Sequence, residues 1–184
     1  MTKKPFLTDV KTLRKRARQH IEEGAVTATY RGSATAAVKI LNDALATEIV
    51  CVLRYKRHYF MAEGIHAAPV AAEFLEHAND EQAHADRISE RIVQLGGSPN
   101  LSPEGMLTRS HTEYVEAKDN LVEMIKENLV AERIAIDSYR EIAAFFAPFD
   151  STTRRMIEEI QAEEEEHADD LADLLKGLPK SASI

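Results

Sequence analysis

Apolar residues recur at steps of three and four along four long stretches of the chain, which is the period of an amphipathic α-helix. The first stretch follows RGSATAAV, where Ser33 or Thr35 supplies the N-cap, and Gly64 ends it. The second opens at Pro69 and closes at the glycine pair 96–97. No alternating strand pattern competes with these stretches, so an all-α fold is predicted.

The second half of the chain contributes two more helices of the same kind. The third is predicted from Asn120 onward, with an earlier start near Thr112 as an alternative. The fourth is capped by Asp150 or Ser151 and stops at Gly177. Each helix has about 25 to 30 residues and is therefore roughly 40 Å long. Four helices of similar length predict an antiparallel four-helix bundle.

The chain divides into three parts around this bundle. We predict a basic N-terminal extension at 1–33, the four-helix bundle at 34–177 and a short C-terminal tail at 178–184. Residues 97–119 join the second helix to the third, and they either cross the length of the bundle or contribute extra helix. A long crossover fits a connection of this size.

Acidic residues and histidines interrupt the apolar stripes at matched places in the two halves of the chain. Each half carries the same order of residues, which is Glu48, Tyr55, Glu81 and His84 in the first half and Glu132, Tyr139, Glu164 and His167 in the second. A further Glu63-x-x-His66 lies across a helix end and matches no partner. The two complete sets predict an internal pseudo-twofold symmetry.

The spacing within each Glu-x-x-His motif gives the motif a chemical use. Residues at i and i+3 project from one helical face, so each motif offers one oxygen and one nitrogen ligand to a common point. With Glu48 and Glu132 from the other two helices, four carboxylates and two imidazoles converge in the core, where two divalent metals would cancel their charge. Carboxylate and imidazole ligands suit iron or manganese. The pattern therefore predicts a buried two-metal site.

The two tyrosines and the other glutamates near the last motif receive simpler interpretations. Tyr55 and Tyr139 are predicted to be core aromatics whose hydroxyls bond a carboxylate, and a redox role for Tyr55 is the alternative. Within the run EEEE, Glu163 is the nearest alternative to Glu164 in helical register. Residues 165–166 are predicted to form a solvated acidic surface.

Composition limits the class of protein and its partners. At 184 residues, with 44% hydrophobic and 29% charged residues, the chain is typical of one globular domain. Its single cysteine, Cys51, excludes an internal disulfide and a cysteine-pair metal site. Because no long apolar run is present, we expect a cytoplasmic protein with no membrane partner. The first 20 residues hold seven basic residues against one acidic residue, although the whole chain has a net charge of −8.

Three stretches of the chain resemble bacterioferritins, which are members of the ferritin-like superfamily: LATEIVCVLRY, DEQAHADRISERIVQLGGSPNL and MIEEIQAEEEEHADDLADLL. The resemblance implies a ferroxidase with two irons per subunit, which oxidises Fe(II) with dioxygen or peroxide and stores Fe(III) in a homo-oligomeric shell. The implied catalytic and metal-binding residues are Glu48, Glu81, His84, Glu132, Glu164 and His167, with Tyr55 beside them. Glu81 and Glu164 are expected to bridge the metals.

Some positions depart from the bacterioferritin pattern. Gln82 stands where haem-binding bacterioferritins carry the methionine that ligates haem, which argues against haem. The short stretch after Gly177 and the long N-terminal extension look more like Dps-like miniferritins, although the chain lacks the tryptophan of their usual site. A dodecamer is therefore expected rather than a 24-mer. Glu76, His77 and Asp80 are candidates for an iron-entry path.

Two other functions share parts of this pattern. A DNA-protecting Dps-like protein would bind phosphates with its basic N-terminal arm, because many arms on one shell multiply weak contacts. A di-iron peroxidase would use the same metal site without storing a mineral. The acidic body argues against DNA binding, and the single cysteine excludes the cysteine-rich domain that rubrerythrin-type peroxidases usually add.

Overall fold

The structure, a computed structural model, describes residues 8–117 and 120–178, and all regular secondary structure within those residues is helical. The helices are α1 (Val10–Arg16), α2 (Ala34–Met61), α3 (Ala67–Gln94), α4 (Met106–Arg109), α5 (Leu121–Phe146) and α6 (Ser151–Gly177), with a 3-10 turn at Ile21–Glu23. The four long helices have 26 to 28 residues each. The predicted all-α fold with four long helices is confirmed.

The four long helices form two antiparallel hairpins that pack into one bundle. Helix α2 packs chiefly on α3, and α5 packs chiefly on α6, while α2 also contacts α5 and α3 contacts α6. The connection between α3 and α5 contains only the short helix α4, which lies against α2. Each hairpin therefore corresponds to one half of the sequence repeat, and the crossover between them is long, as predicted.

Side-chain caps fix the starts of three long helices. Ser33 caps α2, Asn120 caps α5 and Asp150 caps α6, each by accepting a backbone N–H of the first turn through its side-chain oxygen. Asn120 caps the first turn of α5, which begins at Leu121, so the alternative start near Thr112 is wrong. Residues 112–117 are not helical.

Helix α3 begins and ends close to the predicted places. It begins at Ala67, two residues before Pro69, so the proline lies in the first turn, where its missing N–H breaks no helical bond. Gly96 follows the helix with a φ of 78°, a conformation that glycine adopts without strain. A Cβ at Gly97 would lie 2.6 Å from the Val38 side chain, so this glycine lets α2 approach the end of α3.

A polar layer separates the two main clusters of the apolar core, and a third, small cluster of Ala46, Val50 and Met106 joins α2 to α4. On α2, the first main cluster ends at Leu45 and the second begins at Cys51. On α6, the first ends at Ile160 and the second begins at Leu171. The residues between these limits include Glu48 on α2. The core therefore holds the glutamates and histidines of the sequence repeat in one layer across the middle of the bundle.

The N-terminal extension contributes little to this core. Helix α1 buries none of its residues within the subunit, and Leu13 is 49% exposed. The helix ends at Arg16. Among the described helices, none combines the length and the hydropathy required to span a membrane.

Candidate metal centre

The polar layer of the bundle brings together all six of the predicted metal ligands. Helix α2 supplies Glu48, α5 supplies Glu132, and α3 and α6 each supply one Glu-x-x-His motif; all six side chains are buried. Their ligand atoms form two sets in which the atoms lie within 4.8 Å of one another: Glu48, Glu81, His84 and Glu164 in one, and Glu81, Glu132, Glu164 and His167 in the other. The two sets share Glu81 and Glu164, so the layer has the geometry of two adjoining cation sites with two common ligands.

The ligand atoms that face the centre of this layer lack hydrogen-bond partners. These buried atoms are both carboxylate oxygens of Glu48 and Glu164, one oxygen each of Glu81 and Glu132, and Nδ1 of His84 and His167. A buried oxygen or nitrogen without a partner is costly, and native structures rarely tolerate several in one place. The donor set of carboxylates and imidazoles therefore fits a pair of divalent cations, whose charge offsets that of the acids.

The electrostatics of the layer lead to the same conclusion. Burial, followed by repulsion from Glu81, raises the pKa of Glu48 and Glu132 well above the usual range of a carboxyl. Burial alone would lower the pKa of His84, but the surrounding carboxylates, led by Glu164, outweigh burial and raise it. Without metals, the raised pKa values favour the protonated forms of Glu48 and Glu132, and a bound cation would displace those protons.

The outer nitrogen of each motif histidine points to a carboxylate on the opposite helix. Nε2 of His84 lies 2.6 Å from Oε2 of Glu163, and Nε2 of His167 lies 3.6 Å from Oδ2 of Asp80. Both histidines therefore present Nδ1 to the centre. Glu163 was the nearest alternative ligand in register, but its side chain is 44% exposed and lies on the outer side of His84.

The two tyrosines behave differently, although the repeat relates them. The Tyr55 hydroxyl donates to Oε1 of Glu132, as predicted. The Tyr139 hydroxyl has no hydrogen-bond partner among the described residues, so the predicted bond to a carboxylate is wrong for this residue. Its ring belongs to the apolar cluster that includes Leu41 and Ile88, which explains why no acidic oxygen is within its reach.

Comparison with protein families decides the class of this bundle. The Ferritin family, described as a ferritin-like domain, matches residues 38–181. The chain belongs to the ferritin-like family. Bacterioferritin BfrA of Mycobacterium tuberculosis is 28% identical over 144 residues, which cover 78% of this chain and 86% of the relative. The bacterioferritin of Mycobacterium leprae is 30% identical over 133 residues, covering 72% and 79%.

Solved structures agree with this assignment. A dodecameric thioferritin, the bacterioferritin-related protein from Bacteroides fragilis, aligns with a TM-score of 0.75 and 36% identity, covering 78% of this chain and 86% of that one. The bacterioferritin of Rhodobacter capsulatus, described with a metal-free dinuclear site and haem iron, aligns with a TM-score of 0.66 and 26% identity. The alignment covers 79% of this chain and 86% of that one. Dps from Thermosynechococcus elongatus has the same fold, with a TM-score of 0.74 and 18% identity over 82% of this chain and 95% of that one.

One histidine of this ferritin-like subunit lies closer to the centre than the sequence indicated. His77 is 2% exposed, its ring stacks on His167 with centroids 4.0 Å apart, and its Nδ1 lies 3.1 Å from the Tyr55 hydroxyl. Burial, together with the nearby charge of His167, lowers the pKa of His77 to about 3. The sequence signal was its position four residues before Glu81, on the same helical face. Of the other entry candidates, Asp80 contacts His167, while Glu76 is exposed.

A buried arginine of the ferritin-like subunit also escaped the sequence analysis. Arg54 lies one residue before Tyr55 and is almost fully buried. Its Nε donates to Oδ1 of Asn128 at 2.8 Å, and its Nη1 donates to the backbone oxygen of Glu113 at 2.9 Å. These bonds explain the polar Asn128 on the buried face of α5, and they connect the crossover segment to the bundle beside the polar layer.

Proposed function

We propose that this ferritin-like protein oxidises Fe(II) to Fe(III) at a two-metal centre within each subunit and stores the product in a homo-oligomeric shell. The proposed ligands are Glu48, Glu81, His84, Glu132, Glu164 and His167. The observation that carries this proposal is the pair of ligand sets with Glu81 and Glu164 in common. Two Fe(II) ions bound by these sets would have Glu81 and Glu164 as common ligands, and each ion would give one electron to a two-electron oxidant.

Each residue has a role that its position supports. Glu48 and His84 would bind one iron, and Glu132 and His167 the other. Tyr55 would orient Glu132 through its hydroxyl, so that the carboxylate presents its second oxygen to the metal. The substrate is Fe(II), and the oxidant is dioxygen or hydrogen peroxide, which takes the electrons that the two irons lose.

Haem is not part of the proposal. Gln82 occupies the position of the methionine that ligates haem in bacterioferritins, and it donates its side-chain amide to Asp86 at 2.9 Å. A glutamine amide is a poor ligand for haem iron compared with a thioether. The proposed location is the cytoplasm, where the buried thiol of Cys51 would remain reduced.

The proposed shell is a dodecamer. The bacterioferritin-related protein from Bacteroides fragilis is dodecameric, and it is 36% identical to this chain. Light scattering on the purified protein should give the mass of twelve copies of the 20.6 kDa chain. The iron content of the same particle after loading separates storage from a peroxidase, because a peroxidase would hold no iron beyond its two-metal centres.

Oxidation kinetics test the centre directly. Metal-free protein mixed with Fe(II) in air should show a rapid rise in near-ultraviolet absorbance as Fe(III) forms, and Glu81→Ala or Glu164→Ala should abolish it. Glu166→Ala is the matched control, because Glu166 lies in the same acidic run but is exposed. Oxidation by the Glu164→Ala variant at the rate of the control would refute the proposed centre.

A further inference from the structure

A second group of potential ligands lies beside the proposed iron centre but shares none of the six residues. Glu73 and His77 on α3 and Asp170 on α6 bring three ligand atoms within 4.8 Å of one another. We propose that these residues form a third cation site in the subunit, which binds a divalent metal of the Fe(II) and Co(II) class and opens to solvent. This site goes beyond the proposed function, since Fe(II) oxidation at the two-metal centre does not require it.

The hydrogen bonding of His77 decides which ring nitrogen faces the group. The Tyr55 hydroxyl donates its proton to Glu132, so its oxygen is left to accept from Nδ1 of His77 at 3.1 Å. A neutral imidazole that carries its proton on Nδ1 has a lone pair on Nε2. Nε2 of His77 therefore points a lone pair toward Glu73 and Asp170.

Within residues 8–117 and 120–178, that nitrogen has no hydrogen-bond partner. Nε2 of His77 is buried and makes no hydrogen bond among the described residues, although Oε1 of Glu73 lies at 3.3 Å and Oδ2 of Asp170 at 3.9 Å. With the ring proton of His77 on Nδ1, all three of these atoms are acceptors. A buried acceptor that faces two carboxylates is satisfied by a cation.

The surroundings allow a hydrated ion to reach this point. Glu73 and Asp170 line a surface pocket between α3 and α6, and the Asp170 side chain is 56% exposed. The pocket also includes His66, Pro69, Val70, Asp173 and Leu174. An ion arriving from solvent would meet the two carboxylates first and then Nε2 of His77, and water would complete its coordination.

The donor set indicates the class of metal. One imidazole and two carboxylates with open positions suit Fe(II), Mn(II), Co(II) and Zn(II) better than Ca(II) or Mg(II), which prefer oxygen ligands alone. The site also communicates with the centre, because a cation on Nε2 of His77 strengthens the Nδ1–H donor that holds Tyr55. His77 is thus the residue that links the surface ion to the buried ligands.

Counting bound Co(II) tests this site without any activity assay. The assembled protein is dialysed against Co(II), and the bound metal per subunit is measured by elemental analysis. The double variant Glu73→Gln with Asp170→Asn keeps His77 and should bind one ion fewer per subunit than the wild type. The control, Glu90→Gln with Glu166→Gln, removes the same charge from exposed positions of α3 and α6 that lie outside this pocket, and it should match the wild type.

A second measurement locates the ion. Crystals grown with Co(II) should show an anomalous peak at coordination distance from Nε2 of His77 in the wild type and none there in the double variant. An equal Co(II) count in wild type and double variant would overturn the proposal, and so would an absent peak in the wild type. The proposed two-metal centre is tested separately with Glu164→Ala. If that centre binds no metal, this variant will bind as much Co(II) per subunit as the wild type.

Discussion

Glu163 on α6 places Oε2 2.6 Å from Nε2 of His84 on α3, on the side of the ring that faces away from the other proposed metal ligands. Arg87 in turn donates to the other oxygen of Glu163 at 3.0 Å, which fixes the direction of the carboxylate. The repeat supplies the corresponding pair in the other half, where Asp80 lies 3.6 Å from Nε2 of His167. The residue directly before each motif glutamate thus holds the histidine of the opposite motif.

Because a hydrogen-bonded carboxylate orients a ligating histidine and raises its basicity, Glu163→Ala should weaken metal binding by about 10- to 100-fold. Calorimetric titration of the metal-free protein with Co(II) measures this affinity. Glu159→Ala is the matched control, because Glu159 also binds Arg87 but does not contact His84. Equal affinities of the two variants would show that Glu163 has no role in positioning His84.

The crowded acids should make the metal-free protein less stable than a variant that lacks one of them. The pKa of Glu48 is raised in the folded state above its ordinary value of 4.5, so the folded state binds this proton more tightly than the unfolded state does. Its contribution to stability is therefore complete below pH 4.5 and decreases as the pH rises. Glu48→Gln, which mimics the protonated acid, should raise the melting temperature of the metal-free protein at pH 7 by several degrees, at roughly 2 to 4 °C per kcal/mol.

Thermal unfolding with and without Co(II) completes the test of Glu48. Metal should raise the melting temperature of the wild type more than that of Glu48→Gln, because the variant has lost a ligand. Glu90→Gln, at an exposed position of α3, should follow the wild type under both conditions. A lower melting temperature for metal-free Glu48→Gln than for the wild type would contradict the argument.

The helices and the six central side chains could be predicted because both depend on spacing within a helix. Glu81 and His84 are three residues apart, so any α-helix that contains them aligns them, and the cap at Ser33 is equally local. The contact between His77 and Asp170 could not be predicted, because it depends on how far α3 is displaced along α6. The hydrogen bond between Arg54 and Asn128 could not be predicted for the same reason, because the two residues lie on different helices.

The repeat also predicted more symmetry than the structure has. Tyr55 and Tyr139 occupy equivalent places in the sequence, but only Tyr55 bonds a carboxylate. The difference comes from packing, because Tyr139 lies within the first apolar cluster. Sequence spacing gives the face on which a side chain lies, but the final direction of a hydroxyl depends on its neighbours across the bundle.

His58 should make the protein less stable in mild acid. Burial, followed by the positive charge of Arg54, lowers the pKa of His58 from 6.5 to about 4. Between these two values the unfolded chain binds the proton that the folded chain refuses, so stability decreases as the pH falls through this range. The expected loss is on the order of 2 kcal/mol.

Denaturant unfolding between pH 7 and pH 4 measures this effect. His58→Gln should flatten the pH dependence, because glutamine does not titrate. His20→Gln is the control, because His20 is exposed and has only a weak pair with Glu23. If His58→Gln lost stability with acid as steeply as His20→Gln, the neutral buried state of His58 would not be the cause.

Asp150 should be important for the stability of the bundle, since it caps α6 and also binds a second helix. Its two oxygens each lie 3.0 Å from Nη2 of Arg91, and one accepts the backbone N–H of Thr153. Burial opposes ionisation of Asp150, but the bonds from Thr153 and Arg91 outweigh burial and lower its pKa. Asp150→Ala leaves the buried charge of Arg91 without a carboxylate and should cost about 3 to 5 kcal/mol in the free energy of unfolding.

Asp137→Ala is the matched control for this ion pair. Asp137 binds Arg140 at 2.6 Å, but its side chain is 78% exposed, so its removal should cost less than about 1 kcal/mol. Urea denaturation of both variants at pH 7 gives the comparison. Similar losses for the two variants would mean that burial of the Arg91 pair adds nothing.

The basic N-terminal arm allows a direct test of the DNA-binding alternative. Lys3 and Lys4 lie outside the described residues, while Arg14, Lys15 and Arg16 form the last turn of α1 on an exposed helix. Phosphate contacts by so few basic residues weaken steeply with salt, and the rest of the chain is acidic. We therefore expect the assembled protein to retard duplex DNA in a gel at low salt only, and not at about 0.15 M salt.

Deletion of residues 2–18 identifies the source of any retardation. The truncated protein should bind no DNA at low salt and should oxidise Fe(II) at the rate of the full chain, because helix α1 has no buried residues. Retardation that persists at about 0.15 M salt and disappears with the deletion would make DNA binding a main function of the arm. Retardation that persists after the deletion would show that the rest of the chain contacts DNA. That result would contradict the expectation that its acidic charge prevents DNA binding.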